Sequence, residues 1–174
     1  VYSVPQVADG NFFTTAITIV NRDSTPASVT LVFRKANSSN GTDPWTPLLE
    51  SNAPLTTTIA PGGFFTWRTL GLSQLGDVGW VKVLCVQKIS GFAIYRQKTP
   101  GRSAQEAAVP LNSGWQQRFL LPFDNTVPYL TAMAIVNISD TDSALVRAVF
   151  RDDAGALLSP TYERTLPPQG HRAF

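Results

Sequence analysis

The chain has 174 residues, of which 43% are hydrophobic and 15% charged, and it carries a net charge of +2. That length suits one large or two small domains with a buried core, and the composition is too apolar for a disordered chain. No nucleic-acid partner is expected: Arg22, Arg34, Lys35, Arg68, Lys82, Lys88, Arg147 and Arg151 are scattered, and only Arg96, Lys98 and Arg102 cluster, with Glu106 close behind, whereas a polyanion site calls for a broad basic face.

From the N-terminus, VYSVPQV (1–7) is extended and apolar in alternation. TTAITIVN (14–21) sets Ile17 and Ile19 against Thr18, and SVTLVFR (28–34) puts Val29, Leu31 and Phe33 on one face. NSSNGT (37–42) holds an Asn-Gly turn signal, and Trp45 follows in TDPWTP, read as a proline-flanked loop. LTTTIA (55–60), FFTWRT (64–69), GWVKVLCV (79–86), GFAIYRQ (91–97) and AAVPL (107–111) complete a series of short runs rich in Val, Ile, Thr and Phe. Such runs between Pro and Gly turns predict strands, and the period of two predicts one buried and one wet face. Trp67 and Trp80 fall on apolar faces and are expected in the core. The best helical candidate, GRSAQEAAVPL, is cut short by Pro110. No apolar run is long enough to span a membrane.

The chain writes one phrase twice. ITIVNRDSTPASVTLVFR (17–34) returns as MAIVNISDTDSALVRAVFR (133–151), with one residue inserted in the turn. Val20-Asn21 falls on Val136-Asn137, Thr15 on Thr131, Val29 on Val146 and Phe33 on Phe150, while Leu31 falls on the smaller Ala148. Flanking segments repeat as well: VPQVADG (4–10) is similar to LLPFDNT (120–126), and TIAPGGFF (58–65) to TLPPQGHR (165–172). A fixed order of similar motifs marks duplicated units. The expected organisation is therefore two tandem antiparallel immunoglobulin-like β-sandwich units, 1–113 and 114–174, with Trp115 in the link. After Gly170 only His171, Arg172, Ala173 and Phe174 remain, so the second unit is expected to lack its final strands. A start at Val1 rather than Met is read as a processed or excised segment.

The sequence offers little for catalysis. His171 is the only histidine and no Gly-x-Ser-x-Gly elbow accompanies it. One cysteine, Cys85, and one histidine leave no ordinary zinc site, and Asp140, Asp142, Asp152 and Asp153 lack the ligand spacing of a calcium loop. No enzyme activity, cofactor or metal is expected. Asn37, Asn40 and Asn137 match the short glycosylation pattern, and Asn21 and Asn137 sit at strand ends where an amide can close a turn.

PQVADG, AITIVN, IAPGG, SGFAIYRQKTPGRSAQEAAVPL and RFLLPFDN…AIVN…LPPQGH together resemble tandem immunoglobulin-like β-sandwich repeat segments of large secreted or surface proteins of environmental bacteria. The resemblance implies an extracellular, noncatalytic building block whose partners are other copies of itself or adjoining repeats. An unfinished second sandwich would present an edge that a strand from another chain could fill. His171, Ala173 and Phe174 are the expected acceptor edge; Val1, Tyr2, Val4 and Val7 are the expected donor strand. The alternative expectation is a carbohydrate-binding module of a secreted enzyme, with Trp45, Trp115, Tyr129 and Tyr162 stacking on glycans.

Overall fold

The computed structural model describes the chain apart from Ser38, Asn40, Trp115, residues 128–130 and Phe174. The expected runs pair as antiparallel strands, each burying its apolar face. In the N-terminal part these are β1 (Tyr2–Asp9), β2 (Phe13–Asn21), β3 (Ala27–Ala36), β4 (Thr42–Trp45), β5 (Thr56–Ile59), β6 (Phe64–Arg68), β7 (Asp77–Leu84), β8 (Ile89–Gln97), β9 (Gln105–Pro110) and β10 (Asn112–Ser113). One sheet runs β10-β1-β7-β3-β4, with β5 also on β3, and the other runs β6-β2-β8-β9. Val4 and Val7 of β1, Ile17 and Ile19 of β2, Leu31 and Phe33 of β3, Trp67 of β6, Val81 and Val83 of β7 and Ala93 of β8 share one buried cluster. Inner faces of both sheets thus meet in a sandwich-like all-β core.

Two strands and one side chain depart from expectation. Residues 1–7 are not a free extension: β1 is an interior strand, paired with β7 and β10, and Pro5 sits in the register shift between Val4 and Val7 where a missing N–H is tolerated. Thr42–Trp45 is a strand rather than a loop, pairing with Phe33–Ala36; Pro44 is accommodated because β4 is an edge. The expected strand AAVPL does form, as β9, in the run that also held the best helical candidate, since β8 offers it a ladder from Phe92 to Gln97. Trp80 is fully buried, yet it lies outside the core cluster, on the face of β7 opposite to Val81 and Val83.

The C-terminal part forms two two-stranded ribbons. β11 (Ala134–Val136) pairs with β14 (His171–Ala173), and β12 (Ala144–Ala148) pairs with β13 (Tyr162–Leu166).

The repeated phrase recurs as repeated hydrogen bonds. Thr15 Oγ1 donates to Ala8 O at 2.7 Å and accepts from Ala8 N–H at 3.1 Å; Thr131 Oγ1 does the same with Asp124, at 3.0 and 2.8 Å. Asn21 Nδ2 donates to Thr25 O and Ile59 O at 2.8 and 3.0 Å, while Asn137 Nδ2 donates to Asp142 O, Leu166 O and Pro167 O at 2.7, 3.3 and 2.9 Å. The backbone N–H of Asn21 reaches Gly63 O at 2.9 Å, and that of Asn137 reaches Gly170 O at 2.8 Å. Strand pairs correspond too: Val20 faces Phe64 as Val136 faces His171, and Ala27 faces Ile59 as Ala144 faces Leu166. With its amide committed to three carbonyls and its side chain buried, Asn137 is closed to glycosylation in the folded chain.

Candidate assembly site

The two copies differ in what flanks their strands. β2 is paired on both sides, by β6 and by β8 along all nine of its residues. Its counterpart β11 has only β14 among the described residues. β3 is held by β4 and β5 on one side and by β7 on the other, whereas β12 pairs only with β13 among the described residues. Each ribbon therefore leaves one row of backbone N–H and C=O groups open, where the N-terminal part seats β7 and β8.

Large apolar side chains are often exposed in the C-terminal part. Val4 is 0% exposed, while its counterpart Leu120 is 97% exposed. Phe119, Leu121, Leu145, Val149, Leu157 and Leu158 are exposed as well. Among the described residues of the C-terminal part, Leu166 is the single buried hydrophobic. Phe123 still packs edge-on against Phe150 at 6.0 Å, repeating the way Val7 and Phe33 share the N-terminal core.

A seam joins the ribbons to the outer face of the first sheet. The Gln169 carbonyl accepts from Trp80 Nε1 at 3.0 Å and from Thr42 Oγ1 at 2.8 Å. Lys82 Nζ reaches both oxygens of Asp140, at 2.7 and 2.8 Å, and Gln169 Nε2 donates to the same carboxylate at 2.6 Å. Those two hydrogen bonds, the Lys82 one first, hold the Asp140 carboxyl below the usual range. His171 Nε2 lies 3.0 Å from Gln6 Oε1. Burial pushes the His171 imidazole down to about 4, against the opposing effect of a hydrogen bond with the Pro5 backbone. A cleft of about 370 Å³ along this seam is lined by Val32, Arg34, Trp80, Lys82, Asp140 and Gln169. Its polar groups are committed to one another and to Thr42.

The structure distributes the expected site residues as follows. Val4 and Val7 are core residues of β1, and the Tyr2 hydroxyl donates to Gln87 O at 3.2 Å. The expected donor residues thus belong to a paired interior strand, and freeing Val4 and Val7 for another chain would strip them from this core. Of the expected acceptor edge, His171 is buried against β1, Ala173 is exposed, and Phe174 lies outside the described residues. β14 corresponds to β6, itself an edge strand, so the row left open relative to the N-terminal part belongs to β11 and β12 instead. Trp45 packs edge-on against Phe33 at 5.9 Å and half-buries itself on the core. Arg164 sits over the Tyr162 ring at 5.7 Å. Trp115 and Tyr129 lie outside the described residues. The two described rings of the stacking set, Trp45 and Tyr162, lie on different sheets, each with a face or edge in use.

Among the described residues, no three His, Cys, Asp or Glu side chains converge to hold a metal ion. Nor is any helix among them long and apolar enough to cross a membrane. Asp142 is taken up by its own turn, accepting from Ser139 Oγ at 3.3 Å and Thr141 Oγ1 at 3.0 Å. Cys85 is half-buried against the core. Compared with family models, curated proteins and solved structures, the chain gives no match.

Proposed function

We propose that the chain is a noncatalytic structural or adhesive building block of a bacterial exterior, and that its C-terminal part is a second, unfinished sandwich completed by strands from outside these 174 residues. One observation carries the reading: β11 and β12 repeat the bonds of β2 and β3 on one side and, among the described residues, pair with no strand on the other. An antiparallel edge of that kind takes an added strand through main-chain hydrogen bonds, with side-chain pockets giving selectivity. The extracellular setting rests on the motif resemblance and on a low-charge composition with Thr-rich strands.

Sedimentation and electron microscopy of the chain at tens of micromolar test this reading. Oligomers or filaments are expected, together with slow amide exchange at Ala134–Val136 and Ala144–Ala148 that is lost on dilution. A monomer whose β11 and β12 amides are already protected would remove the assembly reading.

A further inference from the structure

The N-terminal part shows what fills the gap. There it is a two-strand arch, β7 and β8, with one strand in each sheet and Cys85–Lys88 crossing between them. Val81, Val83, Ile89 and Ala93 of the arch are all buried in the core. We propose, resting on the assembly reading above, that the partner of the C-terminal part is an arch of this same chemistry, added in the register of the first copy.

The register makes the partner specific. Phe33 faces Val81 and Leu31 faces Val83, so Phe150 and Ala148 face the corresponding residues of the incoming strand. Because Ala148 stands where the first copy has Leu31, the residue opposite it is larger than valine. On the other ribbon, Ile19 faces Gly91, and a Cβ on Gly91 would lie 2.2 Å from Thr18 O. Ile135 repeats Ile19, so the incoming second strand carries glycine opposite Ile135.

The arch also orders a third segment. β1 pairs with β7 from Tyr2 to Val4 and again from Val7 to Asp9. Its counterpart, residues 118–125, is irregular and exposed although Thr131 still grips Asp124 as Thr15 grips Ala8. The missing neighbour accounts for the difference. Binding an arch gives this segment its ladder, and Leu120 and Phe123 then enter a core as Val4 and Val7 do.

The test adds a synthetic peptide of residues 77–97 to the full chain and follows binding by anisotropy and amide exchange. Saturable binding is expected, with new protection at 120–126 and 133–150. Val83→Leu in the peptide tightens binding about fourfold, the worth of one buried methylene opposite Ala148. Gly91→Val in the peptide abolishes binding. A peptide that does not bind, or that binds equally well with Gly91→Val, overturns the arch. Sedimentation of the chain alone then separates the two ideas: oligomers without peptide binding keep the assembly reading and discard this partner, while a monomer with protected β11 and β12 discards both.

Discussion

Asn21 and Asn137 close the same turn with the same bonds, yet the strands leading into them differ threefold in length: β2 runs nine residues and β11 three. The turn is written locally, in an amide, a backbone N–H and a Pro-x-Gly or Pro-Pro-Gln-Gly corner, and it forms in both copies. Strand length is not local. β2 continues because β6 and β8 offer ladders on both sides, and β11 stops where β14 stops. The same contrast shows at one position seen twice. Phe64 is 70% exposed on the edge of its sheet, whereas its counterpart His171 is 3% exposed because β14 lies against β1. The two similar segments thus share their joints and differ in their surfaces.

The sharpest way to break this comparison is to attack each core separately. Trp67→Ala removes the largest fully buried side chain of the N-terminal cluster and is expected to cost about 3–5 kcal/mol in denaturant unfolding. Leu166→Ala, at the buried hydrophobic of the ribbons, is expected to speed amide exchange in β12 and β13 while moving the main unfolding midpoint by less than the equivalent of about 0.5 kcal/mol. A large midpoint shift from Leu166→Ala would mean that the two parts fold as one unit.

The seam responds to pH next. The His171 imidazole is held neutral, pushed to about 4 from an ordinary 6.5. Below pH 6.5 the undocked histidine binds a proton that the docked one refuses, so docking is fully stable above 6.5, weakens as pH falls toward 4, and levels off below. The loss is at most about 3 kcal/mol. Trp80 reports it through its hydrogen bond to Gln169: its fluorescence is expected to titrate between pH 6.5 and 4, and His171→Gln should flatten the curve. Lys82 and Gln169 lower the Asp140 carboxyl, which moves its titration away from this window.

Most of the sheet core was legible because alternation carries it. Ile17, Ile19, Leu31, Phe33 and Trp67 sit where a period of two puts them. Trp80 was harder. It lies beside Val81 in a run apolar on both faces, and nothing in GWVKVL says that one face serves the core and the other a seam. The alternation of VYSVPQV marks an extended segment but not its partners; the register shift at Pro5 is what lets it join a ladder with β7. The seam itself depends on residues far apart in sequence, Lys82 with Asp140 and Thr42 with Gln169, which no spacing announces. Nor does the repeat announce that, among the described residues, β11 and β12 each pair on one side only, because strand pairing depends on neighbours distant in sequence.

A smaller pair of substitutions tests whether the repeated joint is equally important in both copies. Asn21→Ala and Asn137→Ala each strand carbonyls that the amide now satisfies. Each is expected to cost about 1–3 kcal/mol. Asn21→Ala should lower the global midpoint, while Asn137→Ala should show only in exchange rates near Ser139 and Gly170. Equal global effects would again argue for a single cooperative unit.

The smallest effect discriminates most finely, because two terms oppose each other at one corner. Gln169 has φ of +57°, in the left-handed region that its counterpart Gly62 occupies at +70°. A non-glycine residue there costs about 1–2 kcal/mol. In the C-terminal part that strain is offset by the bond from Gln169 Nε2 to Asp140, worth about 0.5–1.5 kcal/mol. Gln169→Gly removes both and is expected to leave docking unchanged within about 1 kcal/mol. Gln169→Ala keeps the strain and drops the bond, so it should weaken docking by about 1 kcal/mol. The mirror experiment is Gly62→Gln, where an added Cβ meets nothing within 4 Å. It introduces the strain without an acceptor, and a loss of about 1 kcal/mol is expected in the N-terminal part. If Gly62→Gln is neutral, the strain is negligible at this corner, and Gln169 stands in the second copy for its amide alone.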